Sequence, residues 1–317
     1  MIQRYDFAPL DGITKVVFRQ VYHRLFGGAD RYFIPFFSPT DQHILTKRDQ
    51  RELDPAANAG LPVVPQVMTR RAPDFLWAAE IVADMGYTEV NLNLGCPSGT
   101  VTAKGKGSGM LADPEGLDRF LEAVFARVEG RVSIKTRLGM ESPEECPRLL
   151  EIVARYPISL LIIHPRVRED YYRRPVRLEA FAQALETYPG AVCYNGALVT
   201  AEGCARFQAQ FPQVERVMLG QGLLANPALI RQAKGGEPPE REELRAFHEE
   251  MYRSYLAAFG SQKNTVYHMK ELWSYLGRLF EGADKPLKQI RKASDSLSYE
   301  RGVDAMFRLP LRSDALW

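Results

Sequence analysis

The stretch VNLNLGCPSGTVTAKGKGSGM (residues 90–110) places Cys96 where an alternating strand pattern gives way to a glycine-rich loop. A thiol there is either buried and inert or able to deliver a proton. With an ordinary pKa of about 8.5 it stays largely protonated near neutrality, which suits a general acid. Most cysteines are buried and inert, and Cys146, Cys193 and Cys204 are expected to be so. The four show no CxxC pair and no histidine at zinc-ligand spacing, which argues against a disulfide framework and against a metal site. Other polar residues end apolar runs: Gln66, Asn93, Lys135 with Arg137, His164 with Arg166, Asn195-Gly196 and Gly220-Gln221-Gly222. A lysine so placed is either a Schiff-base nucleophile or a fixed cation, and a lone histidine either a functional donor or a satisfied polar group. The glycine turns either bring backbone N–H groups close to a phosphate or serve chain geometry alone.

Gathering these residues requires a frame that collects strand ends. Apolar runs begin near residues 5, 31, 61, 87, 131, 158, 190 and 214, with helical periodicity between them. The spacing predicts a helix over 73–85 stopped at Gly86. It predicts another opening at Asp113-Pro114 with Leu117, Phe120, Leu121, Val124 and Phe125 on one face, and a third behind a Ser142/Glu145 capping box. Short apolar strands separated by helices must pair in parallel, and eight such units fit a (β/α)8 TIM barrel over residues 1–234, with its site at the C-terminal ends of the strands. KGGEPPE reads as a linker. Beyond it, Leu244, Phe247, Met251, Tyr255 and Phe259 form one helical stripe and Val266, Met269, Leu272, Trp273, Leu276 and Phe280 another, so residues 235–317 are expected to be a small helical bundle domain. The GKGSGM segment lacks the spacing of a GxGxxG fingerprint and reads as a flexible lid offering Lys104 and Lys106 to a phosphate.

The chain has 317 residues, 45% hydrophobic and 25% charged, enough for a large core. No stretch approaches the roughly 20 apolar residues that span a bilayer, and the start MIQRYDFAPL has no apolar signal core, so a cytoplasmic protein without membrane contact is expected. The net charge of +2 is unevenly distributed. Residues 164–177 carry five arginines against two acids, and residues 285–312 carry seven Lys/Arg against three, which together point to a phosphate-backbone partner.

Seven segments in order resemble the flavin-dependent tRNA-dihydrouridine synthases: FAPLDGIT, PVVPQVMT, VNLNLGCPS, VSIKTRLGM, LIIHPRVREDYY, CYNGAL and VMLGQGLLANP. The resemblance spans nearly the whole chain and implies a barrel with a helical tRNA-binding domain. It implies FMN held by Ala8, Pro9, Leu10, Gln66, Lys135, His164, Asn195, Gly196, Ala197, Gly220 and Gln221, with NADPH or NADH as a transient hydride donor. Reducing the C5=C6 bond of a uracil needs a hydride on one carbon and a proton on the other; Cys96 would supply the proton. Asn93, Arg137, Arg166, Tyr172 and Lys270 resemble tRNA contacts, and a base inside folded tRNA must be turned out to react. A monomer is expected. The chain departs from the family pattern at Leu10, Ile34-Pro35-Phe36, Gly99, Pro165 and Gln221, which bears on cofactor and RNA affinity. Two rival readings are a small-molecule flavin reductase of the dihydroorotate dehydrogenase or old yellow enzyme type, and a non-catalytic tRNA-binding descendant.

Overall fold

The computed structural model describes residues 2–313. Its strands are β1 (Arg4–Phe7), β2 (Arg31–Phe33), β3 (Val63–Val64), β4 (Gln66–Val67), β5 (Glu89–Leu94), β6 (Arg131–Arg137), β7 (Leu160–His164), β8 (Val192–Asn195) and β9 (Arg216–Leu219). Neighbours hydrogen-bond in the order β3-β2-β1-β9-β8-β7-β6-β5-β4. β3 and β4 are one extended run interrupted at Pro65, which has no N–H to give a ladder. Because β3 pairs in parallel with β2 and β4 with β5, that run closes the sheet on itself. Nine segments thus make the eight strands of a parallel barrel, as expected from the sequence.

The chain divides into two compact units. One comprises the residues up to Pro9 with Arg31–Ala197 and Gln213–Met218, and the other Leu10–Asp30, Leu198–Pro212 and the residues from Leu219 onward. In the first unit the helix Ala72–Asp84 stops before Gly86, whose φ of +91° glycine adopts at low cost. The helix Pro114–Phe125 is capped by the Asp113 side chain, which accepts the Gly116 N–H at 2.9 Å, and it buries Leu117, Phe120, Leu121 and Val124. Phe125 is only half-buried and stacks on Tyr156 at 5.4 Å. The Ser142/Glu145 capping box forms ahead of the helix Cys146–Val153.

In the second unit the helix Arg241–Phe259 buries Leu244, Phe247, Met251 and Tyr255 and ends at Gly260 in the left-handed region. The helix Gln262–Leu276 buries the Val266, Met269, Leu272, Trp273 and Leu276 stripe but stops short of Phe280. At Gly277 an added Cβ would lie 2.7 Å from Leu287, so that position is set by close packing, and Phe280 instead bridges to Leu311. Helices Asp284–Lys292 and Ser296–Phe307 complete the bundle. Among the described residues no helix is long and apolar enough to cross a membrane.

The inward face of the barrel is layered. Ala8, Phe33, Val64, Leu160, Ile162, Cys193 and Met218 form a dry middle. Toward the strand N-termini, Asp6 pairs with Arg31 and Arg216 at 2.8 and 2.6 Å, and Glu89 receives Arg31 at 3.1 Å and Arg131 at 3.5 Å. Toward the C-terminal ends the face is polar. β5 is buried throughout, and its Asn91 and Asn93 lie in register with Ser133 and Lys135 of β6.

Candidate active site

Side-chain amides cross the C-terminal half of the barrel as one chain of hydrogen bonds. Asn91 Nδ2 donates to Ser133 Oγ at 2.9 Å, Gln66 Nε2 to Asn91 Oδ1 at 2.7 Å, and Asn93 Nδ2 to Gln66 Oε1 at 2.8 Å. Asn93 Oδ1 then accepts the N–H groups of Gly95 at 3.0 Å and Cys96 at 2.9 Å. Buried amides need partners, and here each satisfies the next, so the network fixes the loop that carries the thiol. Asn93, expected as a substrate contact, has its oxygen committed to that loop.

Of the four cysteines, Cys96 alone is only half-buried; the others are buried, none forming a disulfide. Burial pushes the Cys146 thiol up to about 12 and Cys193 well above its ordinary value, which leaves both unreactive near neutrality. The expected lid is folded down. The short helix Gly99–Thr102 and the turn Gly107–Ala112 pack under Cys96, whose carbonyl accepts from Ser108 N at 3.2 Å and Ser108 Oγ at 2.8 Å. Lys104 is exposed and Lys106 half-buried.

The Lys135 ammonium has no hydrogen-bond or salt-bridge partner among the described residues. Burial, reinforced by the Arg137 guanidinium, lowers its ammonium to about 8. His164 accepts from Arg166 Nη1 at 2.7 Å. A guanidinium only donates, so the imidazole is neutral with its proton on Nδ1. Burial and the cations Lys135, Arg137 and Arg166 hold it well below the usual histidine range.

Two arginines expected at the RNA face inward instead. Arg137, 2% exposed, donates from Nε to the Gly95 carbonyl at 2.9 Å and from Nη1 to the Val167 carbonyl at 3.0 Å, and its guanidinium carbon lies 5.3 Å from the Tyr172 ring centroid. Arg166, 8% exposed, also donates to the Arg174 carbonyl at 2.6 Å. Tyr172 is 53% exposed and tilts over His164 at 5.9 Å. Of the five arginines in 164–177, Arg177 pairs with Asp170 and Arg168 donates to Thr102 Oγ1 at 3.2 Å, which leaves Arg173 and Arg174 exposed.

The Asn195 side chain donates to the Met218 carbonyl at 2.8 Å. At Gly196 a Cβ would meet Val176 at 2.9 Å and His164 at 3.3 Å, so only glycine brings the backbone this close, and Ala197 follows at φ +50°. Ala8 and Pro9 continue β1, and Ala8 lines the dry middle. In the second unit, the Leu10 N–H donates to Thr14 Oγ1 at 2.9 Å. Gly220 and Gln221 are half-buried at the start of the short helix Gln221–Ala225. Gly222 is a packing glycine, its Cβ position 2.7 Å from the Leu198 carbonyl. Lys270, also expected at the RNA, donates to the Ala293 carbonyl.

The sequence reading gives no role to Asn91, Ser133 or Ser108. The first two were visible as polar residues at inward strand parity, and Ser108 as the hydroxyl between two glycines. The cations without carboxylate partners, an unpaired half-buried ammonium and a backbone turn with no room for a side chain suit an anionic group at the barrel mouth.

The family model for dihydrouridine synthase matches residues 6–305. A protein of Rhodobacter capsulatus named probable tRNA-dihydrouridine synthase is 29% identical, over 91% of this chain and 90% of its own length. One of Pseudomonas putida named tRNA-dihydrouridine(16) synthase is 25% identical over 94% and 96%. Among solved structures, the old yellow enzyme homologue from Zymomonas mobilis has a TM-score of 0.55 at 12% identity, over 75% of this chain and 90% of that one. Morphinone reductase gives 0.53 at 14%, over 76% and 89%. At such identity these structures establish the barrel architecture. The family match covers nearly all of the chain, and the chain belongs to the dihydrouridine synthase family.

Proposed function

We propose that this chain, a cytoplasmic monomer, reduces a uridine of tRNA to 5,6-dihydrouridine, with FMN at the barrel mouth and NADPH or NADH as the transient hydride source. The observation that carries the reading is Cys96, the one cysteine left accessible, tied by its backbone at the end of β5. FMN, when bound, supplies hydride chemistry. Lys135 would hold its anionic edge, with Gln66 and the neutral His164 as hydrogen-bonding neighbours. Ala8 and Pro9 would line its ring, and the Asn195-Gly196-Ala197 turn its phosphate. Cys96 delivers a proton from Sγ to the uracil carbon that does not receive hydride, and the thiolate recovers its proton from solvent. Arg137 acts through the Gly95 carbonyl on the loop instead of touching RNA, and Arg166 fixes the tautomer of His164.

RNA contacts fall to Tyr172, Arg173 and Arg174, and to the helical domain of residues 235–317. There Lys285, Lys288, Arg291 and Lys292 are exposed on Asp284–Lys292 with no salt bridge among the described residues. The test is incubation of tRNA lacking dihydrouridine with purified protein and NADPH, followed by nucleoside analysis and mapping, with position 16, printed in the names of several relatives, examined first. Dihydrouridine formation supports the reading. A flavoprotein that leaves tRNA unchanged would favour the small-molecule reductase, and a colourless protein that binds tRNA but not FMN the non-catalytic descendant.

A further inference from the structure

We propose that Ser108 is a positioning residue for proton delivery, clamping the main chain of Cys96 at the end of β5; this rests on the reading of Cys96 as proton donor. Both polar groups of the Cys96 backbone are tied from opposite sides. Its N–H goes to Asn93 Oδ1 at 2.9 Å, and its carbonyl receives both the hydroxyl and the N–H of Ser108, at 2.8 and 3.2 Å. Arg137 holds the preceding carbonyl, that of Gly95, at 2.9 Å.

The flanking glycines let the clamp close. Gly107 has φ +57°, and a Cβ there would lie 3.0 Å from Cys96 Cβ, Cys96 O and Val101 alike. At Gly109 a Cβ would lie 2.8 Å from the Thr102 carbonyl. Ser108 itself is fully buried, so its hydroxyl faces the Cys96 carbonyl and not solvent. A general acid loses efficiency steeply when its reach to the accepting carbon varies, and a doubly anchored carbonyl suppresses that variation.

The role is tested on the full-length flavin-loaded enzyme with Ser108→Ala, Gly107→Ala and Cys96→Ala. In Ser108→Ala, alkylation of Cys96 by iodoacetamide, followed by peptide mass spectrometry, should rise about fivefold as one hydrogen bond to the loop is lost. Flavin reduction by NADPH should stay within about twofold of the parent, while reoxidation by tRNA slows about tenfold at an unchanged KM for tRNA. Gly107→Ala, which presses a methyl on the same carbonyl, should also slow reoxidation alone. Unchanged alkylation and reoxidation in both variants, with Cys96→Ala inactive, overturns the clamp and leaves the proton donor standing. Equal slowing of both half-reactions assigns Ser108 a purely structural part and also overturns it. Full reoxidation in Cys96→Ala removes the reading beneath.

Discussion

At the N-terminal ends of the barrel strands every inward charge meets its opposite: Asp6 lies between Arg31 and Arg216, and Glu89 between Arg31 and Arg131. At the C-terminal ends Lys135, Arg137 and Arg166 make no salt bridge among the described residues; the two arginines instead meet backbone carbonyls, an imidazole and an aromatic face. Some 20 Å of strand separate an end that holds itself together from one that keeps positive charge available. Buried charge is costly unless matched, so the mouth carries a standing penalty that an anionic ligand would relieve. The base carries no such penalty.

The largest effect should come from breaking the base. Asp6→Asn leaves Arg31 and Arg216 without their shared carboxylate and should cost about 3 kcal/mol in urea unfolding. The same kind of change at the mouth should act with the opposite sign. Lys135→Met removes a half-buried, unpaired cation and should stabilise the flavin-free protein at pH 7 by about 2 kcal/mol, while weakening FMN binding measured by fluorescence titration. The pH dependence sharpens the contrast. Lys135 titrates near 8 when folded and near 10.5 when unfolded, so between those values the unfolded chain holds the extra proton and stability rises with pH. That rise should vanish in Lys135→Met. FMN affinity should fall as pH climbs through about 8 and the ammonium is lost, and the fall should also vanish in the variant.

Much of this contrast was legible in the sequence, for stated reasons. Strand and helix periods, the Asp113 and Ser142 caps and the Gly86 and Gly260 stops are local signals, and they were read correctly. The polar residues at strand ends located the mouth because a barrel gathers those ends wherever the connections run. The resemblance alone gave Arg137 and Arg166 as tRNA contacts, and it carries no information on which way a side chain turns. Arg137 lies two residues beyond Lys135 on the inward face, and Pro165 turns Arg166 back so that its N–H meets the His164 carbonyl at 2.7 Å. The Gln66–Asn93 bond joins residues 27 positions apart, and pairing of that kind depends on register, which no local period reveals.

A smaller effect belongs to the helix Asp284–Lys292. Lys285→Ala with Lys288→Ala should weaken tRNA binding a few-fold and reduce the salt slope by about 2, read by filter binding across salt concentrations, without changing flavin content.

The most direct test of the account is stopped-flow comparison of Cys96→Ala with the parent enzyme in separate half-reactions. Flavin reduction by NADPH is expected to be unchanged, and reoxidation by tRNA to be at least about 100-fold slower. Reoxidation at the parent rate would contradict the assignment of Cys96 as the proton donor.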